Sequence, residues 1–582
     1  MTAPNRNTLW AATLVDELAA AGLDAVCLSP GSRSTPLTVA FAQHSAIDVY
    51  SHLDERSSAF FALGRGRRTG DVTAVVCTSG TAAANFHPAV LEASESRVPL
   101  LLLTADRPPE LHDSGANQTT SQEHLYGDAV RAYRTLPEPE PEARKLRSLR
   151  VTVARAVRDA TETPAGPVHL NVPFRKPLEP TEVPGDVPED FDAEAPLASE
   201  GRDGPFLETT TGTSRLNDAD GHRFARAIDD AERGLVVCGP SDGPHPEPAT
   251  LERFAEATGF PVLADPLSGH RFGSHGDGVT VCGGYDSYLD DIDWPDPDIV
   301  FRTGFSPTSK VLRHYLRDSD ARQVVVDPAG DWPEAEFTAT DFVVADPTAV
   351  FADLAGAVES GGDPAWRERF ERAETRYWDI VAEACDEEYF EGAILHDVVR
   401  YTPDPATLFV SNSMPVRDLD RFGKPSETAI SAYGNRGVSG IDGITSTALG
   451  AGSATDEPLV LVTGDVAYYH DMNGLLALGR CGVDATIVLL NNDGGGIFHL
   501  LPIEAFDPPF TEQFVTPHGL DFEPTADLYD LSFERVSSRG DFRETFESSV
   551  GSSGTTVIEL QTDGEGSHRF RERLHDRVRE EI

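Results

Sequence analysis

A carboxylate and a carboxamide stand 27 residues apart in the last quarter of this 582-residue chain, each just after an apolar, β-branched run. Leu459-Val-Leu-Val-Thr463 leads into Gly464-Asp465, and Thr486-Ile-Val-Leu-Leu490 leads into Asn491-Asn492-Asp493-Gly494-Gly495-Gly496. That interval is one strand–helix–strand unit. Asp465 and Asn492 are therefore expected at the carboxyl ends of neighbouring parallel strands, where open α/β sheets bind their ligands. A carboxylate, an amide oxygen and glycine carbonyls are hard oxygen donors suited to Mg²⁺ on a diphosphate. The glycines let backbone approach phosphate closely. Either strand end alone reads as a turn, since Gly, Asn and Asp favour turns; the pair at this spacing points to a site.

Such a site needs sheets to hold it. Short apolar runs alternate with helical patterns along the whole chain, the signature of α/β layers around parallel sheets. The runs fall into three blocks, so the expected architecture is three doubly wound α/β domains covering 1–185, 207–355 and 375–582. In the first block, strands are expected at 25–28, 72–77, 98–104 and 167–172, and helices at 8–20 and 80–95. In the second, strands are expected at 234–238, 261–264, 298–302, 322–327 and 341–345. In the third they are expected near 407–411, 429–433, 458–463, 485–490 and 555–560. The stretch 179–206 is rich in Pro, Glu, Asp and Gly and reads as an extended linker.

Composition narrows the function. Asp plus Glu number 96 against 48 Lys plus Arg, a formal charge of −48. This excludes a general nucleic-acid binder, which needs a basic footprint, and disfavours an anionic membrane surface. No apolar run approaches the roughly 18 residues of a membrane span. Asp16 and Glu17 interrupt the first apolar pattern, so no signal peptide is expected. Of the basic residues only Lys145, Lys176, Lys310 and Lys424 are lysines. Dispersed acid with almost no lysine resembles proteins of salt-loving organisms, in which molar salt screens self-repulsion. The six cysteines form no C-x-x-C pair and sit mostly in apolar runs, as expected of buried thiols in a reduced, cytoplasmic protein.

Familiar nucleotide and hydrolase motifs are missing. Gly64-Arg-Gly66-Arg-Arg-Thr-Gly70 misses the dinucleotide spacing and reads as a basic, glycine-broken helix end. The Asp465/Asn492 pair instead resembles the signature of thiamine-diphosphate enzymes, a Gly-Asp followed by Asn some 25–30 residues on. Such enzymes need a glutamate in their first domain. Glu55, in Ser51-His-Leu-Asp-Glu55-Arg56 after a short expected strand, is the matching position. The resemblance tightens over eight segments in order: 27–38, 54–56, 78–82, 104–111, 115–119, 411–417, 435–443 and 491–498. Together they resemble one family, the 2-succinyl-5-enolpyruvyl-6-hydroxy-3-cyclohexene-1-carboxylate synthases of menaquinone biosynthesis. Val466 replaces the final Gly of the usual Gly-Asp-Gly, and Asp465 still supplies the carboxylate.

The resemblance implies a thiamine-diphosphate-binding fold with Mg²⁺ or Mn²⁺, and a transferase acting on 2-oxoglutarate and isochorismate. By the same resemblance, Glu55 would meet the pyrimidine ring and Ile441 would prop the cofactor in its bent shape. Asp465, Asn492 and Gly494 would hold the metal. Ser32, Arg33, Arg107, Asn117, Gln118 and Lys310 would face isochorismate. Arg417 and Arg436 would face the 2-oxoglutarate-derived part, beside an apolar wall of Ile497 and Phe498. Charge counting agrees: one carboxylate survives decarboxylation and isochorismate brings two, so several cations are needed, and arginine is the bidentate choice. Taken singly, each arginine reads as a surface ion pair among the 96 acids. The family also implies a homodimer or homotetramer. The rival reading is another 2-oxoacid enzyme of acetolactate synthase type, and a non-catalytic scaffold is the reading from a different class.

Overall fold

The computed structural model describes residues 3–276, 278–290 and 294–582. Three six-stranded sheets appear in chain order. The first contains β1 (Ala25–Leu28), β2 (Asp48–Ser51), β3 (Thr73–Cys77), β4 (Leu100–Asp106), β5 (Ala132–Thr135) and β6 (Pro167–Pro173). The second contains β7 (Gly234–Cys238), β8 (Val262–Ala264), β9 (Val281–Cys282), β10 (Ile299–Thr303), β11 (Arg322–Val326) and β12 (Asp341–Val343). The third contains β13 (Ala406–Val410), β14 (Ile430–Tyr433), β15 (Leu459–Gly464), β16 (Thr486–Asn491), β17 (Ser532–Val536) and β18 (Thr556–Gln561). Their orders are β2-β1-β3-β4-β6-β5, β12-β11-β10-β7-β8-β9 and β14-β13-β15-β16-β18-β17. Every described pairing is parallel. The first and third sheets share one order, each reversing direction between its first and third strands.

All the strands expected from sequence are present, with small shifts at their ends. Three were not foreseen: β5, β9 and β17. Each lies at the edge of its sheet. Buried parallel strands read as continuous apolar runs because helices cover both faces. Edge strands are partly open; β17 is Ser-Phe-Glu-Arg-Val and mostly solvent-facing. The helix expected over 80–95 is two, Thr81–Ala84 and His87–Glu95. Pro88 stands in the first turn of the second, where a missing N–H breaks no intrahelical bond.

The described chain forms two compact units. One comprises Met1–Thr211, Gly437–Asp456 and Asp471–Val483; the other Gly212–Arg436, Glu457–His470 and Asp484–Ile582. The core of the first packs strand residues such as Val26, Val76, Leu103 and Leu170 against the helices Arg6–Ala20 and Ala143–Thr161. The 179–206 stretch is not the extended linker expected from its prolines. Val187, Phe191 and Ala198 join this same core. Arg150, paired with Glu17, donates to the carbonyls of Ala198 and Ser199 (3.1 and 2.7 Å). Spaced apolar anchors and one buried arginine fasten a segment whose composition alone suggested solvent.

In the other unit, the helix Pro364–Glu387 carries Trp366, Phe370, Tyr377 and Trp378 into a core shared with Leu235 and Val300 of the second sheet. Phe390 and Phe422, which flank β13, lie in that core too. The position 375, expected as a domain start, falls inside this helix.

Gly64 and Gly66 do not break a helix. They lie inside Glu55–Thr69, which ends at Gly70 in a left-handed cap (φ 74°). The helix crosses Ile444–Gly452 within the first unit. A Cβ on Gly64 would meet the Thr447 carbonyl oxygen at 2.0 Å, and one on Gly450 the Phe61 carbonyl oxygen at 2.0 Å. The two backbones touch because neither glycine has a side chain.

Two outcomes follow. Gly64→Ala should lower unfolding free energy by about 1–3 kcal/mol, the usual cost of overpacking. Gly479→Ala, at a helical position with open space around it, should be neutral or stabilise by about 0.5–1 kcal/mol. Equal effects in denaturant titrations would show that the crossing is not tight. In addition, with a charge of −48, the melting temperature should rise between dilute buffer and molar KCl as screening removes self-repulsion. A midpoint indifferent to salt would contradict this.

Candidate active site

Asp465 follows β15 directly, and Asn492 follows β16. The two strands pair in the register Gly464↔Leu490, which sets both residues at the same sheet edge. Asp465 is 2% exposed. Its carboxylate accepts from the Val466 N–H (2.7 Å) and the Gly494 N–H (2.9 Å), and His518 Nε2 lies 3.1 Å away. Burial pushes the Asp465 carboxyl above its ordinary range, and these three contacts pull it back. Gly494 has φ 145°, and its carbonyl accepts from the Gly496 N–H (3.1 Å).

Asn492 donates through Nδ2 to Glu391 Oε1 (2.8 Å), while its Oδ1 is buried and has no hydrogen-bond partner. An orphaned amide oxygen is costly unless something fills its lone pairs. With the Asp465 carboxylate at the neighbouring strand end, these hard oxygen donors fit a divalent metal.

The second set of residues lies around a cavity of about 1030 Å³ in the same unit, lined by Lys310, Arg313, Arg417, Arg421 and Ile497 among others. Lys310 opens the helix Lys310–Asp318, and Arg417 lies in the first turn of Met414–Phe422. Cations are disfavoured at helix N-termini. Both cations open on one cavity, whose lining also includes the carboxylates of Asp286, Asp418 and Glu504. Arg417 donates to the Ser413 carbonyl (2.5 Å). Burial lowers its pKa, and the nearby charges of Arg436, Arg421 and Arg313 lower it further. Ser413 itself holds φ 70°, a strained conformation for a non-glycine residue. Arg436 donates to Asn412 Oδ1 (2.7 Å). Ile497 and Phe498 lie in the 3₁₀ turn Gly496–Leu500, with Phe498 edge-on to Phe514 (5.4 Å).

The remaining predicted residues belong to the first unit. Arg33 follows β1, where its N–H donates to Thr78 Oγ1 (3.1 Å), and its guanidinium donates to the Phe174 carbonyl (2.7 Å). Gly31 permits this approach, since a Cβ there would lie 2.2 Å from Thr78 Cβ. Arg107 follows β4 and reaches the Gln118 carbonyl (3.4 Å). Gln118, at φ 54°, also exchanges hydrogen bonds with Ser79 (3.0 and 3.1 Å). Ser32 and Asn117 are exposed beside these groups. Burial lowers the Arg33 pKa, and the charge of Arg107 adds to the fall. Thus the ends of β1, β3 and β4 bring Ser32, Arg33, Arg107 and Gln118 together at the point where the strand order reverses, the position open α/β sheets use for ligands.

Glu55 is the first residue of its helix, capped by Asp54, and its charge bears on the buried Cys77 thiol at the end of β3. Arg56, beside it, pairs with the buried Asp471 (3.5 Å), which also accepts from the Ser446 N–H (2.7 Å). Burial pushes the Asp471 carboxyl up to about 6. Ile441 is half-buried in the turn before Ile444–Gly452.

Several supporting residues were not foreseen. His518 stands 53 residues after the carboxylate it contacts, and Glu391 101 residues before its amide. Under Arg107, Asp106 accepts from the Arg107 N–H (2.7 Å) and from Asn171 Nδ2 (2.8 Å). Gln122 joins Asn171 to the Gly80 N–H (2.9 and 3.0 Å). None of these has a local spacing signal.

Comparison with known proteins identifies the family. Residues 10–127 match the thiamine pyrophosphate enzyme N-terminal TPP binding domain, and residues 425–560 the C-terminal TPP binding domain. A 2-succinyl-5-enolpyruvyl-6-hydroxy-3-cyclohexene-1-carboxylate synthase of Haloarcula marismortui is 64% identical over 100% of both chains. Proteins of the same name from Natronomonas pharaonis (60%, 100% of both chains) and Haloquadratum walsbyi (59%, 99% of both) are similar throughout. The chain belongs to the family of 2-succinyl-5-enolpyruvyl-6-hydroxy-3-cyclohexene-1-carboxylate synthases and carries the N- and C-terminal domains of thiamine pyrophosphate enzymes.

Proposed function

We propose that this chain decarboxylates 2-oxoglutarate and joins the remaining four-carbon unit to isochorismate, giving 2-succinyl-5-enolpyruvyl-6-hydroxy-3-cyclohexene-1-carboxylate and CO₂, a step of menaquinone biosynthesis. One observation carries the substrate assignment. Among the described residues, Arg33, Arg107, Lys310 and Arg417 form no salt bridge, in a chain with 96 acids and 48 bases. Arg33, Arg107 and Arg417 spend their donors on backbone carbonyls instead. Cations that close no ion pair within the chain have donors to offer the carboxylates of a substrate.

Thiamine diphosphate, when bound, supplies the electron sink for breaking the carbon–carbon bond. Asp465 and Asn492, with the Gly494 backbone, would hold Mg²⁺ or Mn²⁺ on its diphosphate. The Glu55 carboxyl would hold a proton against the pyrimidine ring, and Ile441 would support the cofactor's shape. Arg33 and Arg107, with Ser32, Asn117, Gln118 and Lys310, would orient isochorismate. Arg417 and Arg436 would fix the distal carboxylate of 2-oxoglutarate, with Ile497 and Phe498 excluding water. The working form is a homodimer or a homotetramer in the cytoplasm. No described helix is long and apolar enough to cross a membrane.

Isochorismate consumption, followed by absorbance in molar KCl, should require thiamine diphosphate, a divalent cation and 2-oxoglutarate together. Release of CO₂ from a different 2-oxoacid, without isochorismate loss, would favour an acetolactate synthase type of activity. Glu55→Gln should lower kcat by roughly 10²–10⁴-fold with the fold intact. Full turnover in that variant would remove Glu55 from the chemistry. Arg107→Ala should raise the KM for isochorismate by about 10- to 100-fold, the worth of one charged hydrogen bond, and leave that for 2-oxoglutarate little changed. The reverse pattern would exchange the two substrate assignments.

A further inference from the structure

The orphaned oxygen of Asn492 points the way it does because its nitrogen is claimed. Glu391 opens the helix Glu391–Tyr401 and is 1% exposed. Its Oε1 accepts from Asn492 Nδ2 (2.8 Å) and Thr562 Oγ1 (2.9 Å). Its Oε2 accepts from Arg571 (2.6 Å). Arg571, 3% exposed, also grips Asp418 through Nε (2.7 Å) and Nη2 (2.5 Å). Asp418 is fully buried and adjoins Arg417 in the helix Met414–Phe422.

We propose that Glu391 is a positioning residue for the cation ligand Asn492, and that Glu391, Arg571 and Asp418 form a buried strut from that ligand to the helix bearing Arg417. The proposal rests on the reading of Asn492 as a cation ligand. An amide can present either end. Here both Glu391 oxygens are acceptors with donors on each, so the Asn492 nitrogen is fixed inward and the oxygen outward. A carboxylate one shell behind a ligand raises metal affinity by orienting it. Through Arg571 and Asp418 the same network reaches the helix that carries Arg417, by buried charge-assisted hydrogen bonds.

An amide at position 391 cannot satisfy both neighbours. Turned one way it sets a donor against Arg571; turned the other, it sets a donor against Asn492 and forces the amide over, nitrogen outward. Glu391→Gln should therefore weaken Mn²⁺ binding by about 10- to 100-fold, read from the free-ion paramagnetic resonance signal at saturating thiamine diphosphate in molar KCl. No turnover is needed for that reading. Asn492→Asp alone faces one carboxylate with another and should also bind poorly. The double variant restores a donor–acceptor pair in reversed sense and should bind more tightly than either single one, a coupling that general loosening of the fold does not produce. Should Glu391→Gln fail to fold, recovery of folding and Mn²⁺ binding in the double variant carries the test. Wild-type affinity in Glu391→Gln would overturn the proposal, as would a double variant no better than Asn492→Asp. A wild-type protein that binds no Mn²⁺ with thiamine diphosphate would overturn the cofactor assignment itself, and this proposal with it.

Discussion

A parallel sheet sends the carboxyl ends of all its strands to one edge, and that constraint organises the rest of this molecule. Asp465 and Asn492 are near because β15 and β16 pair in register, not because anything local joins them. Arg33, the Thr78–Gly80 turn and Arg107 meet because β1, β3 and β4 are neighbours in order. The strands themselves are almost wholly apolar, so the chemistry is confined to the few residues past each strand end. The price is strain and close approach at those turns. Ser413 and Gln118 occupy the left-handed region, and Gly31 has no room for a side chain.

Electrostatics then selects among the many charges available. Most arginines of this acidic chain answer a nearby carboxylate, as Arg571 does with Glu391 and Asp418, or Arg271 with Asp420. The arginines at the strand ends are placed against backbone carbonyls and against one another. Their mutual proximity leaves a local excess of positive charge in an otherwise acidic chain.

The legible part of the fold was the part with one-dimensional signals. Strands such as Leu459–Gly464 and Thr486–Asn491, covered on both faces, wrote themselves as unbroken apolar runs. β17 did not, because an edge strand alternates with solvent. Proline content misread 179–206, where Phe191 and Ala198 decide the outcome by burial. Glycine content misread Gly64, whose purpose depends on a helix some 380 residues away in sequence. At the strand ends, Asp465, Asn492, Arg33 and Arg107 could be picked out from motifs, and Glu391, His518 and Asn171 could not. Those three act on partners 101, 53 and 65 residues distant, through contacts that only the folded chain creates.

The shared strand order of the first and third sheets gives the molecule two copies of one socket. Corresponding strand ends can be matched: β1 with β13, β3 with β15, β4 with β16. Arg33 and Arg417 both follow the first strand of their sheet, whereas the third and fourth strands are followed by Thr78 and Arg107 in one copy and by Asp465 and Asn492 in the other. The same wiring has therefore been fitted with different terminals. Both rims keep an arginine after the first strand and differ after the third and fourth, over apolar strands with the same order of neighbours. The apolar strands fix the frame of each sheet, and the few residues past each strand end decide what its rim presents.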